Sequence, residues 1–478
     1  MNLFRKKKIS TALAHAKKQE LPKTLGALDL VLLGIGCIIG TGIFVLTGVA
    51  AAKYAGPGII ISFVLSGSAC AFAALAYAEL AAMVPIAGSA YTFAYIALGE
   101  IVAFIVGWAL ILEYTVGSAA VAAGWSGYIV GLIEAFNIHL PKAWVAVPAN
   151  GGILNVPAIL IVLLLTYLLI LGTRESVTLN KILVIVKLAA VVLFLVLAVP
   201  HINPSNWDPL LPFGYKGIVS GAAIVFFAYI GFDAVATAAE ECKHPNRDLP
   251  TGIVGSLIIC TTLYIAVAAV LTGVVPYTQL DNSEPVAFAL RYLGINWGSA
   301  IVAVGAICGI TTVLLVFIFG QTRVFLAMAR DGMLPDTLAK LHPQHKTPYI
   351  ITSITGITVA MLSGILPIGI IAELTNAGTL FAFITASIGV LVLRYTQPTA
   401  RRPFRCPAVT VIAPLAVIFC AYLLFNLPVL TMKFFGGWLL IGLIVYFIFS
   451  RSHSILAKDL QSQNAAFPDK DLQEKEKK

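Results

Sequence analysis

Charge is what this chain is shortest of. Only 11% of its 478 residues are Asp, Glu, Lys or Arg, against 59% that are hydrophobic, and the mean hydropathy is +0.94. A water-soluble domain carries about 25% charged residues, so the chain lacks the polar surface that would cover a soluble body. Strands of alternating polarity are missing too. That argues against a β-barrel and leaves a helical bundle as the spanning structure. The seven cysteines, Cys37, Cys70, Cys242, Cys260, Cys308, Cys406 and Cys420, form no CxxC pair and lie mostly in apolar blocks. They read as small buried thiols and not as a disulfide frame or a metal site. No HExxH, GxSxG or Walker motif occurs, and no loop is long enough to hold a catalytic domain, so an enzyme is not expected. His139, His201, His244, His342 and His345 fall in connections without metal-ligand spacing, and no cofactor is implied. A filter-like channel loop is absent as well. The basic stretch of Arg5, Lys6, Lys7 and Lys8 stands far from the first apolar block, so no cleavable signal is read there.

What is present is a series of apolar blocks, each long enough for the roughly 20 helical residues that cross a bilayer. They lie at 28–50, 57–83, 100–134, 153–173, 178–200, 216–239, 251–275, 298–329, 349–367, 371–395, 408–431 and 434–451, which makes about twelve spans. The connections alternate in charge. One set holds 5–23, Arg174, Lys243, Arg247, 330–346, 394–405 and Arg451; the other holds only Lys53, Lys142, Lys216, Arg291 and Lys433. Basic connections stay in the cytoplasm, so both termini are expected inside a cell membrane. The net charge of +9 thus encodes topology and does not point to nucleic acid. Trp144, Trp207, Trp297 and Trp438 fall near the opposite ends of spans, as an interfacial belt would. The expected organisation is a cytoplasmic tail at 1–26, a core at 27–395, two further helices at 408–451 and a polar, disordered tail at 452–478.

Two spans are unusual. The first reads Gly34-Ile35-Gly36-Cys37-Ile38-Ile39-Gly40-Thr41-Gly42-Ile43-Phe44. Each glycine inside a helix costs about 1 kcal/mol relative to alanine, so unwinding near Gly40 to Gly42 is cheap. Close helix packing through Gly36 and Gly40 is the other reading. The sixth span carries an internal glycine at Gly231, in Phe226-Phe227-Ala228-Tyr229-Ile230-Gly231-Phe232-Asp233. Breaks at matching places in two halves point to a transporter site between inverted repeats. Five spans in each half give repeats at 27–200 and 215–395. A half-helix N-terminus suits a carboxylate and a half-helix C-terminus suits an ammonium, so an α-amino acid fits the pair.

Those two segments, with Glu240-Glu241, Pro245, Gly320-Gln321-Thr322-Arg323 and Ala329-Arg330-Asp331-Gly332, resemble the amino acid–polyamine–organocation transporters. The similarity is greatest to the bacterial branch of the cationic amino acid transporter family and runs from about residue 25 to 453. The resemblance implies an all-α, five-plus-five inverted repeat working by alternating access. It implies that the substrate carboxylate meets the N–H groups of Thr41 and Gly42. The amino group would meet carbonyls around Ile38, Phe227, Ala228 and Ile230.

Charges inside the spans complete the list. Lys187 lies about 15 Å into the fifth span at helical rise, and an embedded cation costs at least about 2.5 kcal/mol. The alternative to a function is snorkelling to the interface. In proton-coupled relatives a lysine resembles a replacement for a sodium ion between the first and fifth helices, which makes Lys187 the expected proton-coupling group, donating near Gly34 to Cys37. Glu113 reads equally as a site residue or a buried pair, and Tyr264 is placed beside it by the resemblance. Asp233 reads as a cap of the second half-helix, and Asp29 and Glu79 as gate or loop pairs. Phe317 would shorten the pocket in the relatives' geometry and leave a guanidinium unpaired. Small or medium neutral L-amino acids such as alanine, moved with protons, are therefore expected. An arginine or lysine uniporter, or an exchanger, is the alternative. An accessory single-span subunit is left undecided.

Overall fold

The computed structural model describes residues 3–9, 25–85, 88–171, 177–237, 242–345 and 347–458. Arg174, the Glu240-Glu241 pair, Lys346 and most of both tails lie outside the described residues. Within them the chain is helical, with one isolated β-bridge between Leu25 and Cys242. Helix is what a bilayer demands, because every backbone polar group must be satisfied inside its own segment.

The helices come in two series of the same order. Helices α1 (Ala27–Ile38) and α2 (42–55) make a first span broken in its middle. The long α3 (Ile59–Met83) follows, then the short α4 (Ser89–Ala97), and then α5 (Glu100–Glu134), α6 (Val156–Leu171) and α7 (Val177–Ala198). The second series opens with α8 (Gly214–Val225) and α9 (Ala234–Thr237), again one broken span. It continues through α10 (Pro245–Val274), the short α11 (Pro285–Tyr292), α12 (Asn296–Arg330), α13 (Tyr349–Ile365) and α14 (Ile368–Thr396). An odd number of spans per series means that the second runs opposite to the first. The last two spans are α15 (Val409–Phe425) and α16 (Val429–Val445). Together these give twelve spans among the described residues.

The short helices inside each series are invisible to hydropathy, since neither is long enough to cross. All nine residues of α4 are buried, so it is a packed wedge and not a surface loop. Helices α5 and α12, each of 35 residues, are about 52 Å long at helical rise and pack along one another. They exceed the roughly 30 Å hydrocarbon layer and form the long struts of the bundle. Helix α10 packs on α1 and α3, and α14 packs on α5.

Several boundaries differ from the sequence reading. Helix α10 begins at Pro245, a residue suited to a first turn, and α16 begins at Val429 after Pro428. Trp438 therefore stands well inside α16 and is not part of an interfacial belt. It stacks on Trp108 of α5 at 4.8 Å between ring centroids. Each indole N–H donates to the other residue's carbonyl, at 2.9 and 2.8 Å.

The end of the bundle that carries the basic connections is tied by ion pairs. Arg5 meets the fully buried Glu100 at 2.6 Å, and Lys7 meets Asp331 at 2.9 Å, so residues 3–9 are docked. Ser454, beyond α16, also donates to Glu100 at 2.6 Å. Lys181 pairs with Asp29 at 2.5 Å. Glu79 takes both Nε and Nη2 of Arg394, at 2.8 and 2.7 Å, and the backbone N–H of Cys406 at 2.7 Å. Arg402, 8% exposed, lies at 3.3 Å from the same carboxylate. Removing one partner of a buried pair costs about 3–5 kcal/mol, because the other charge stays behind. Glu79→Ala is expected to destabilise the detergent-solubilised protein by about 3 kcal/mol, read as a fall in the thermal unfolding midpoint, whereas Glu79→Gln should lose less.

Candidate functional site

The first break comes one residue earlier than the glycines alone suggest. Ile39 has an extended ψ of 103°, and its N–H still reaches Ile35 O at 3.0 Å. Helical geometry resumes at Thr41, φ −55° and ψ −28°, and continues as a π-turn over Gly42–Leu46. In the sixth span α8 tightens into a 3₁₀ turn over Phe226–Tyr229. Ile230 is then extended (ψ 136°), and Gly231 has φ +118°. The left-handed φ at Gly231 is one that L side chains rarely adopt.

The two breaks touch backbone to backbone. A Cβ on Gly42 would stand 2.3 Å from Ala228 Cα, and one on Gly231 would stand 2.8 Å from Cys37 O. The glycines are thus used for close approach as well as for unwinding, the backbone approach of the first span being made by Gly42. Gly40 faces Val313 of α12, where a Cβ would meet Cγ2 at 2.9 Å.

Carbonyls freed by the breaks have donors. The Lys187 side chain is fully buried, and its Nζ donates to Gly36 O at 2.5 Å and Ile39 O at 3.0 Å, with Thr312 Oγ1 at 3.4 Å. Snorkelling is excluded by this burial. Gly309 makes the slot for the lysine stem, since a Cβ there would meet Lys187 Cδ at 2.9 Å. The Tyr264 hydroxyl sits between the breaks, 2.9 Å from Ile38 O and 2.8 Å from Ala228 O. Its one proton serves two acceptors. This corrects its expected pairing with Glu113, because the hydroxyl is drawn instead to the orphan carbonyls. Phe227 O accepts from Ile230 N at 3.3 Å.

Glu113 is elsewhere. It lies on α5 against Gly378 and Thr379 of α14, 2% exposed, and among the described residues its Oε2 has no hydrogen-bond partner. Asp233, 3% exposed, directly precedes α9, and its carbonyl accepts from Ala236 N at 3.0 Å. Phe317 stands one turn beyond Val313 on the same face of α12. Its ring meets Tyr114 edge-on at 5.8 Å and lies over Gly117. Thr41, next to the break, packs against Gly124.

Three participants were not read from the sequence. Thr312 was one threonine among many in apolar helices. Asn376 of α14 donates to Ala223 O and Ile224 O, at 2.7 and 3.1 Å, at the end of α8. It could have been found as a lone amide inside a span. The role of Gly309 is visible only once Lys187 is placed.

From the end opposite the basic connections, a cavity of about 680 Å³ descends to Val45, Gly124 and Ile224, beside the breaks. The basic end carries the Arg5–Glu100, Lys7–Asp331, Lys181–Asp29, Glu79–Arg394 and Glu79–Arg402 pairs, while Lys53–Asp281 and Arg291–Glu284 lie at the cavity end.

The amino acid permease family model matches residues 25–450. The chain belongs to that family. This places it in the amino acid–polyamine–organocation superfamily of multi-span membrane transporters, whose members are not enzymes. It is 50% identical over 461 residues to the branched-chain amino acid permease BcaP of Bacillus subtilis, covering 95% of this chain and 99% of that one. It is 47% identical to the methylthioribose transporter of the same organism, covering 96% and 100%. It is 37% identical to the vacuolar cationic amino acid transporter 4 of Arabidopsis thaliana, covering 83% and 68%.

Substitution at the backbone contact should be felt directly. Gly231→Ala both strains φ and drives a methyl into Cys37 O. A loss of about 2 kcal/mol of stability is expected, together with a fall in uptake larger than the fall in folded protein at the membrane. Uptake per folded molecule, measured against Ala228→Gly as a neighbour that relieves space, checks it.

Proposed function

We propose that this permease is a secondary active transporter for small or medium neutral L-amino acids such as alanine, moved in symport with protons by alternating access. Amino acid transport is the activity for which the family is named; substrate size and proton coupling are our reading. The transport core is taken as 27–395, with repeats 27–200 and 215–395, and the helices at 408–451 lie outside it. The charge asymmetry supports a plasma-membrane protein with its basic end and both termini in the cytoplasm.

The observation that carries the reading is Lys187. A cation buried in a span is costly, and this one spends its donors on carbonyls of the first break. An amine that releases its proton loosens its hold on Gly36 O and Ile39 O. Protonation is thereby tied to the geometry of the break. A substrate would bind beside it, its carboxylate on the N–H groups of Thr41 and Gly42. Its ammonium would reach the carbonyls of Ile38, Phe227, Ala228 and Ile230. Tyr264 now bridges two of these, and each carbonyl keeps a second lone pair for an ammonium. Phe317 with Tyr114 would close the pocket against long side chains. A second reading, a cationic amino acid uniporter or exchanger, is favoured by the likeness to the plant cationic amino acid transporter. A sugar-like cargo is suggested by the likeness to the methylthioribose transporter. The aromatic wall at Phe317 weighs against a guanidinium, which would be left without a partner.

The test is uptake of radiolabelled alanine and arginine into proteoliposomes, with and without an inward proton gradient. A one-unit gradient is worth about 1.4 kcal/mol, so one proton per substrate supports up to about tenfold accumulation. Alanine should accumulate only with the gradient. Gradient-indifferent arginine uptake would sink both the size and the coupling assignments. In Lys187→Ala the accumulation ratio should fall to about one even where downhill exchange persists. Phe317→Ser should admit larger side chains, measured as a gain in leucine uptake relative to alanine; an unchanged ratio removes Phe317 from the pocket.

A further inference from the structure

The cavity opposite the basic end contains a feature that the central site does not use. Glu373, in the second turn of α14, lines that cavity and is only 7% exposed. Its carboxylate has neutral donors alone: the Tyr54 hydroxyl at 3.3 Å and the Thr431 hydroxyl at 2.8 Å. Among the described residues it forms no ion pair. Most other buried acids near the ends of the bundle differ in this respect. Glu79 and Glu100 have arginines, and the largely buried Glu284 has Arg291. Asp248, 6% exposed in the first turn of α10, is like Glu373 without an ion pair among the described residues, but it does not line this cavity. A buried carboxylate without a cation is expensive, and the space in front of it, about 680 Å³, is wide enough for one to arrive from outside.

The rim of the same cavity carries the complementary charge. Lys53 is half-exposed and held 3.0 Å from Asp281, also half-exposed, and both residues line the cavity. Exposed pairs of this kind are worth little and exchange partners readily. Lys53 directly precedes Tyr54, whose hydroxyl touches Glu373, so the two charges sit on neighbouring residues and their contacts. The cavity therefore offers a fixed carboxylate at Glu373 and, at its rim, an ammonium held in an exposed pair with Asp281. An α-amino acid presents the opposite charges a short distance apart.

We propose that this outer vestibule is a second amino acid subsite, in which Glu373 receives the substrate's α-ammonium before the substrate passes Val45 to the breaks. Glu373 selects for the ammonium group and raises the local concentration of zwitterion at the mouth of the central site. Tyr54 and Thr431 orient the carboxylate. Lys53 offers its charge to the substrate carboxylate. The proposal rests on the transport reading above and on its orientation, and it adds a residue to which that reading gives no part.

The experiment uses the full-length protein in proteoliposomes and in detergent, with alanine as the probe. Glu373→Gln keeps the size and the hydrogen-bonding reach of the side chain and removes its charge. KM for uptake from the vestibule side should rise about tenfold, as when a charge-assisted hydrogen bond becomes a neutral one, with a much smaller change in maximal rate. KM for exit from the opposite side should not move. A merely structural role for Glu373 would move both. Equilibrium binding of alanine should fall from two molecules per chain to one, and Glu373→Asp, which keeps the charge, should restore much of the vestibule-side KM. One molecule per chain in the wild type, or a vestibule-side KM unmoved by Glu373→Gln, overturns the subsite while alanine transport stands. A wild type that accumulates no amino acid overturns the transport reading and the subsite with it.

Discussion

A helix that stops inside a membrane leaves carbonyls and N–H groups that no water can satisfy, and each one left bare costs several kcal/mol. This constraint organises the molecule. The first span stops at Ile39 and the sixth at Ile230. The donors that answer them come from the fifth, seventh and tenth spans, as Lys187, Tyr264 and Asn376. Each donor links spans that are distant in sequence, so the breaks are held by the bundle and the bundle is held around the breaks. The glycines serve the same end. Without Cβ atoms at Gly42 and Gly231, the two interrupted backbones come into contact and present their polar groups to one small space.

The donors differ in how firmly they hold. Asn376 has two N–H donors and places one amide across two carbonyls at the end of α8, a fixed cap. Tyr264 has a single proton for two carbonyls, one on each break. It can serve either acceptor and leaves the other open to a different donor. Lys187 has three protons, and losing one charge weakens every contact it makes. The fixed donor thus holds the sixth-span half-helix, while the exchangeable ones hold the first-span carbonyls and, through Tyr264, Ala228 O as well. The half-helix α8 is pinned, while the carbonyls of 36–39 are held by groups whose occupancy can change. The opposite end of α1 is tied by the Asp29–Lys181 pair and, just before the helix, by Leu25, which bridges to Cys242 and accepts from Lys243 N at 2.9 Å.

How much of this was legible in the sequence follows from the kind of signal. Spans and their number come from apolar runs, which a bilayer forces on any sequence; among the described residues seven helices are long and apolar enough to cross, and five shorter apolar helices complete the twelve. The breaks come from glycine density and from the matching place of Gly231, and these too are found, displaced by a residue at Ile39. Lys187 announced itself by cost alone: a cation that far from any interface has few structural uses. Tyr264 was misplaced because its partner is a backbone atom, and sequence names no backbone partners. Thr312, Asn376 and Gly309 went unread for a related reason. Their roles exist only where particular helices cross, and no pattern along one helix encodes the crossing. Helix α4 was missed because its length and burial mimic neither a span nor a loop.

The use of backbone in place of side chains also bears on selectivity. A site built from arginine and glutamate would recognise a zwitterion strongly, but each charge would have to be buried in the membrane in every state of the cycle. Helix ends provide the same two signs as partial charges at no such cost when the site is empty. They also provide them identically for any α-amino acid, so the backbone sets the class of ligand and says nothing about its side chain. Discrimination within the class must then fall to the few side chains that face the same space. Under the proposed reading these are aromatic and small: Phe317 edge-on to Tyr114 over Gly117, and Val313 against Gly40. A wall of that composition measures volume and rejects charge, since it offers a long polar side chain neither room nor a partner. On this argument, a change of substrate in such a protein needs few substitutions on α12 and α5 and none at the breaks.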